Sequence, residues 1–371
     1  MVHYSDYLQL DKILDAQYPE SSRLNRPAHD EMLFIVIHQA YELWFKELLH
    51  EAESIAGLLE KPVNDNSPQL QTVVHRLARI TTILKVLVHQ IDIMETMTPM
   101  DFLEFRDMLR PASGFQSWQF KLLEARLGLK FERRHGQEYY ISQLREEHVK
   151  LIREAESSPT ILQLVNEWLE RMPFFTEEEN WKNYEAINPS KERDFWTDYR
   201  YIYSSSLAEG EKANIEMFDT VLLGAYNDHA QPKNTNGVGY AKTGEDLQGN
   251  VPGQPASISA RQLSPKACRA ALFIMLYRGY PILQLPFQLL NSLLEIDEQL
   301  STWRYRHMNM VHRMIGSRIG TGGSSGKNYL AGATQKHMIF SEIAGLTSLL
   351  IERSRLPVLS HEMERRLGFM G

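Results

Sequence analysis

Several side chains able to do chemistry stand where a plain core would not put them. His38 lies in FIVIHQAYELWF, an apolar stretch of helical character, and Glu42 follows four residues later, on the same helix face. There is no HExxH pattern here, so a catalytic zinc is poorly supported. A histidine alone in such a place is either a hydrogen-bonded core residue or a functional one. Arg106 lies in MDFLEFRDMLRPASGFQS, four residues after Phe102. An arginine among aromatics can grip a carboxylate with two parallel N–H bonds. It can equally be a surface arginine paired with Glu104 or Asp107. His307 lies in WRYRHMNMVHRM, and His312 follows five residues later, roughly 140° around a helix. The two cannot readily chelate one metal. A single buried imidazole suits an axial heme ligand. Met308, Met310, Val311 and Met314 would then be apolar walls, or all of them are simple core.

Residues 318–327, RIGTGGSSGK, resemble a phosphate loop and fail as one. Counting back from Gly326 places Thr321 where the Walker pattern needs glycine, and Asn328 follows Lys327 where a hydroxyl is needed. The glycines still allow a tight fold with exposed N–H groups, a concave site for an anion or polar ligand. The alternative is a helix C-cap running into a flexible linker.

These residues need helices to position them, and the periodicity is helical almost throughout. In SPQLQTVVHRLARITTILKVLVHQIDIMETMTP, Ser67 can cap a helix, Pro68 suits its first turn and Pro99 stops it. Leu70, Val73, Leu77, Ile80, Leu84, Leu87, Ile91 and Met94 alternate steps of three and four, a seam for lengthwise packing on another helix. Asp30 to Glu60 forms a second long helix whose first half is apolar all round, which predicts its burial. Shorter helices are expected at 101–109, 115–127, 137–155, 159–171 and 191–226. Residues 227–260, rich in Gly, Pro and Asn, read as a mobile loop or insertion, and a single domain spans 1–371. Helix resumes with the Ser-Pro entry at Ser264, again from Pro286, and over 329–354. The fold class expected is all-α, a large helical bundle with ligand sites between facing helices. Trp44, Trp118, Trp168, Trp181, Trp196 and Trp303 fall at core-like positions, with no chemistry assigned.

Composition narrows the classes. A net charge of −7 disfavours nucleic acid and anionic membranes as partners. The single cysteine, Cys268, excludes an internal disulfide, iron–sulfur clusters and cysteine-based zinc sites. No signal peptide opens the sequence and no apolar run approaches the ~18 residues of a membrane helix. A cytoplasmic location is therefore expected.

Taken together, FIVIHQAYELWFKELLHE, RPASGFQSWQFKLLEARLGL, WRYRHMNMVHRMIGSRIGTGGSSGKNYL, the N-terminal YSDYLQLDKILDAQYP and PFQLLNSLLEIDEQLSTWRY resemble the tryptophan 2,3-dioxygenase family, in its longer, eukaryotic-like form. The resemblance covers residues 4–130 and 260–330, in order. It is weak over 131–260 and beyond 331. It implies an all-α protein with heme b between helices, assembled as a homotetramer, a dimer of dimers whose N-terminal segment is exchanged between subunits. The implied reaction uses ferrous heme and O2 to open the indole C2–C3 bond of L-tryptophan, giving N-formyl-L-kynurenine, the first step of the kynurenine pathway. By resemblance His307 is the proximal iron ligand, His38 the distal histidine facing the indole N–H, and Arg106 the carboxylate anchor. Phe34, Phe102 and Leu109 are indole walls, and Ser113 supplies a hydroxyl near the distal face. Gly320, Thr321 and Gly322 form a loop over the ammonium and carboxylate. Tyr4, Tyr7 and Leu8 belong to the segment entering a neighbouring subunit. Two alternatives share the fold: a relative inserting one oxygen into an indole, and a heme sensor without turnover.

Overall fold

The computed structural model describes residues 1–61, 67–134, 141–172, 178–181, 184–224, 261–320 and 337–368. Regular structure among the described residues is helical, as expected. In chain order the α-helices are α1 Tyr4–Leu8, α2 Leu10–Ile13, α3 Glu20–Arg23, α4 Glu31–Leu59, α5 Pro68–Met94, α6 Pro99–Phe105, α7 Trp118–Leu127, α8 Glu146–Ser157, α9 Ile161–Glu170, α10 Phe195–Ser206, α11 Asn214–Leu223, α12 Pro265–Leu276, α13 Pro281–Ile315, α14 Ser341–Gly345 and α15 His361–Leu367. The loop expected at 227–260 lies outside the described residues, as do Thr321 and Gly322. The chain divides into two compact units. One comprises 1–61, 68–164 and 291–340, the other 62–67, 165–290 and 341–371.

In the first unit α5 buries the whole seam from Leu70 to Met94, each of its residues at most 4% exposed. Its partner is α4, which presents Phe45, Leu48, Ala52, Ile55 and Leu59 at the same alternating spacing. Each fully buried leucine or isoleucine stabilises by about 1.5–3 kcal/mol, so this seam is a main source of the unit's cohesion. Arg76 and Arg79 of α5 both reach the buried Glu51 of α4, which fixes the register. Helix α7 packs on α4 as well. Arg306 of α13 donates to the Val88 carbonyl at 3.2 Å, and pairs with Asp92 at 2.7 Å and Glu95 at 3.0 Å, tying α13 to α5.

The first half of α4 departs from expectation. Met32, Val36 and Leu43 are 44%, 46% and 55% exposed, so burial is not all round. One face packs on α5, another on α7 and the cavity described below, and Met32, Val36 and Leu43 lie outside them. Between α5 and α7 the chain is capped tightly. Thr98 Oγ1 accepts from the Asp101 N–H while the Thr98 N–H donates to Asp101, and Pro99 occupies the first turn of α6. That box sets the phase of Phe102 and Arg106. After Phe105 the helix tightens to a 3-10 turn over Arg106–Leu109.

Other boundaries differ from the sequence reading. Helix α13 starts at Pro281, not Pro286. Pro286 lies in the second turn, where its missing N–H costs one early bond and the apolar face continues. The single helix expected over 191–226 is split. The hydroxyls of Ser204, Ser205 and Ser206 bond back to carbonyls three residues earlier, and the helix stops there. Within 329–354 the described part is not one helix. It holds α14 and two 3-10 turns, because Tyr203 and Tyr199 take the carbonyls of Ser348 and Leu349 that a longer helix would use.

The second unit has an aromatic core. Phe195, Tyr199, Phe218, Phe273 and Tyr277 are buried and in ring contact along α10, α11 and α12. Asp198, fully buried, accepts from the Tyr184 hydroxyl and from the backbone of Ile187 and Asn188. Ser264 caps α12 as expected, accepting from the Ala267 N–H at 3.1 Å.

Replacing Leu77 by Ala leaves a cavity in the α4–α5 seam. It is expected to cost ~2–5 kcal/mol in denaturant unfolding, against under ~0.5 kcal/mol for the exposed Ile93→Ala on the same helix.

Candidate active site

One cavity of about 280 Å³ in the first unit gathers His38, Arg106 and His307, from three separated stretches of chain. Helix α4 contributes one turn after another: Phe34, His38, Tyr41 with Glu42, then Phe45. The opposite wall is α13, with Trp303, His307, Met310, Val311 and Met314. Of the apolar walls expected around His307, only Met308 is not on the lining.

His38 Nδ1 lies 2.7 Å from the Phe34 carbonyl oxygen. A carbonyl only accepts, so Nδ1 carries the proton and a neutral ring keeps Nε2 as a hydrogen-bond acceptor. The ring is neutral because burial pushes its pKa below the ordinary imidazole value, against the opposing pull of the Phe34 carbonyl and Glu42. Its face rests on Phe34, 4.1 Å between centroids. His307 is pushed down to about 4, first by burial and then by the nearby His38. It is therefore neutral too, the form able to bind a metal. Its Nδ1 is buried without a hydrogen-bond partner among the described residues.

Arg106 is only 4% exposed, which decides against a surface arginine. One terminal nitrogen donates to the Ile319 carbonyl, the other sits 3.4 Å from the exposed Asp107 carboxylate, and its Nε is buried without a partner among the described residues. A buried guanidinium held this loosely favours a further anion. Phe102 and Phe34 stand beside it, 5.8 Å apart. Ser113 also lines the cavity, its hydroxyl accepting from the Phe115 N–H, and so does Gly320, beyond the end of α13. Leu109 does not line the cavity, because the 3-10 turn after Arg106 carries it off that face. Tyr4 and Tyr7 are 71% and 75% exposed on α1 and, with Leu8, lie off this cavity.

The profile of the family described as Tryptophan 2,3-dioxygenase matches residues 1–350. A tryptophan 2,3-dioxygenase of Bdellovibrio bacteriovorus is 40% identical, over 99% of this chain and 98% of its own. That of Dictyostelium discoideum is 39% identical, over 99% and 88%, and tryptophan 2,3-dioxygenase B of Danio rerio is 40% identical, over 98% and 85%. The chain belongs to the tryptophan 2,3-dioxygenase family.

The family match runs through 131–260 and on to residue 350, further than the motifs legible by eye. In this member the cavity also has a charged wall that those motifs do not single out. Glu124 of α7, 3% exposed, pairs with Arg134 at 2.6 Å and Arg304 at 2.7 Å, with His337 Nδ1 at 3.6 Å. Burial raises the Glu124 pKa, but Arg304, Arg134 and then His337 outweigh it and hold the carboxyl well below its ordinary value. Beside it Lys121 donates to the Phe115 carbonyl, and burial pushes its ammonium down to about 8 against the pull of Glu124. Glu124, Arg304, Lys121 and His337 all reach the cavity. The signal available was Lys121 and Glu124 three apart among leucines, and Arg304 three before His307. The aromatic floor of Tyr41, Phe45, Phe120 and Trp303 was also missed, although Trp303 and His307 are four apart and share a face.

Glu124→Ala strands two buried guanidiniums. The expected loss is ~3–5 kcal/mol in thermal or denaturant unfolding, and Glu124→Gln should recover only part of it.

Proposed function

We propose that this enzyme, a dioxygenase, opens the indole C2–C3 bond of L-tryptophan with O2 to give N-formyl-L-kynurenine, the first step of the kynurenine pathway. The observation that carries the reading is the convergence of His38, Arg106 and His307 on one cavity in a family member. The residues present fit a heme. His307 offers a neutral imidazole, Met310, Val311 and Met314 offer apolar walls, and Lys121 offers a cation for a porphyrin carboxylate. Heme b, held through His307, would in its ferrous state supply the activation of O2.

The chain's own groups bind and orient the amino acid. Nε2 of His38 accepts the indole N–H and sets the ring angle. Arg106 binds the carboxylate, each charge-assisted bond worth ~1.5–3 kcal/mol. Phe34 and Phe102 exclude water from the indole. Ser113 supplies a hydroxyl to the cavity, and the ammonium and carboxylate are assigned to Gly320 together with Thr321 and Gly322, the last two outside the described residues. The working form is a cytoplasmic homotetramer whose Tyr4, Tyr7 and Leu8 enter a neighbour's site. The exposure of Tyr4 and Tyr7, and of Met32, Val36 and Leu43 along α4, supports an assembly that covers them. Among the described residues no helix is long and apolar enough to cross a membrane.

The deciding experiment is an absorption spectrum of the reduced, heme-loaded protein without oxygen, with and without L-tryptophan, followed by oxygen. A tryptophan-dependent spectral change and a product two oxygens heavier are expected. A product one oxygen heavier, or no tryptophan response, overturns the reading. Arg106→Ala is expected to weaken tryptophan binding about 100-fold with heme content unchanged, and His307→Ala to lose heme. His38→Ala should keep heme and slow turnover by roughly 10²–10⁴. The neutral form of His38 is the working one, and burial lowers its pKa, so protonation occurs below the ordinary ~6.5. The pH profile of kcat/KM should therefore stay flat as pH falls through ~6.5 and decline only below it. A decline beginning above pH ~7 would remove this role from His38.

A further inference from the structure

One helical turn before His307 on α13 stands Trp303, on the same face. Its indole lies parallel to the imidazole, with 5° between planes and 5.1 Å between centroids. The indole is itself walled in. Tyr41 and Phe45 of α4 meet it edge-on at 6.0 and 6.4 Å, and Phe120 of α7 leans on it at 4.9 Å. Tyr41 is anchored in turn, its hydroxyl donating to the Leu87 carbonyl at 2.9 Å. A metal-binding imidazole is ordinarily oriented by donating its other N–H to a carboxylate, a carbonyl or a water. Among the described residues no side chain or carbonyl accepts from His307 Nδ1.

We propose that Trp303 is the positioning residue for His307, its stacked indole setting the plane in which the imidazole meets the heme iron. This rests on His307 being the axial ligand. The torsion that turns an imidazole is broad when nothing restrains it. Parallel stacking on an indole that three rings hold still narrows it.

The test uses the full chain reconstituted with heme and reduced, in wild-type, Trp303→Leu, Trp303→Met and Trp303→Phe forms. Resonance Raman reads the iron–imidazole stretching band, and transfer to a heme-scavenging apoglobin reads heme loss. Trp303→Leu is expected to shift and broaden the band and to speed heme loss roughly tenfold. Trp303→Phe keeps a ring face over the imidazole and should restore both toward wild type. If circular dichroism shows Trp303→Leu unfolded, Trp303→Met, which refills the space with a flexible apolar chain, carries the same expectation. A wild-type band and loss rate in the folded Leu or Met variant overturns the proposal. So does a Phe variant as disturbed as they are. Wild-type protein that binds heme without an iron–imidazole band overturns the axial assignment and this inference together.

Discussion

The cavity depends on a carboxylate buried against two guanidiniums. Glu124 sits on α7, Arg304 on α13 and Arg134 just beyond α7, and the contacts are 2.6–2.7 Å. Removing such charges from water is expensive, and only close pairing with further hydrogen bonds offsets it. Those bonds are present: Arg304 also donates to the His337 carbonyl and Arg134 to that of Lys121. The arrangement therefore tolerates little displacement of α13 against α7. On the other side of α13, Arg306 is fastened to α5. His307 follows directly after two arginines anchored to different helices, so its rotation about the helix axis is set before any ligand arrives.

Against that charged wall the rest of the cavity is apolar, and the contrast gives its imidazoles their state. Burial disfavours the charged form of both His38 and His307, and His38 adds to that effect at His307. Neutral rings suit one nitrogen to a metal and another to an N–H donor. Arg106 and Lys121 bring positive charge to this cavity, while that of Arg304 is matched by Glu124. A zwitterionic, aromatic guest and a porphyrin with carboxylate tails both match this division into apolar and cationic surface.

Much of this was legible in the sequence. The seam of α5 is a pure pattern of apolar spacing, and every one of its residues is buried. His38, Arg106 and His307 stood out as polar groups in apolar surroundings, and the motifs around them carried the family. What was illegible depends on contacts between distant segments. Trp303 stands four residues before His307, a spacing that shares a helix face, but the stacking of the two rings shows only in the fold. Leu109 is taken off the wall by a tightening from α to 3-10 geometry that no residue announces. Proline at 286 reads as a helix start until the apolar face preceding it is seen to continue. The tyrosines that shorten the helix at 346–349 are about 150 residues away.

The cavity draws its walls from residues as far apart as Phe34 and His337. No short piece of chain can form it, and closing so long a span has an entropic cost that local helix formation does not repay. Its shape therefore exists only after the ends of the first unit have met. Any guest that occupies it acts as a clasp on the whole unit, with a stabilisation that grows as the logarithm of guest concentration over its dissociation constant. Cofactor supply in the cell would then govern how long the protein survives as well as how fast it works.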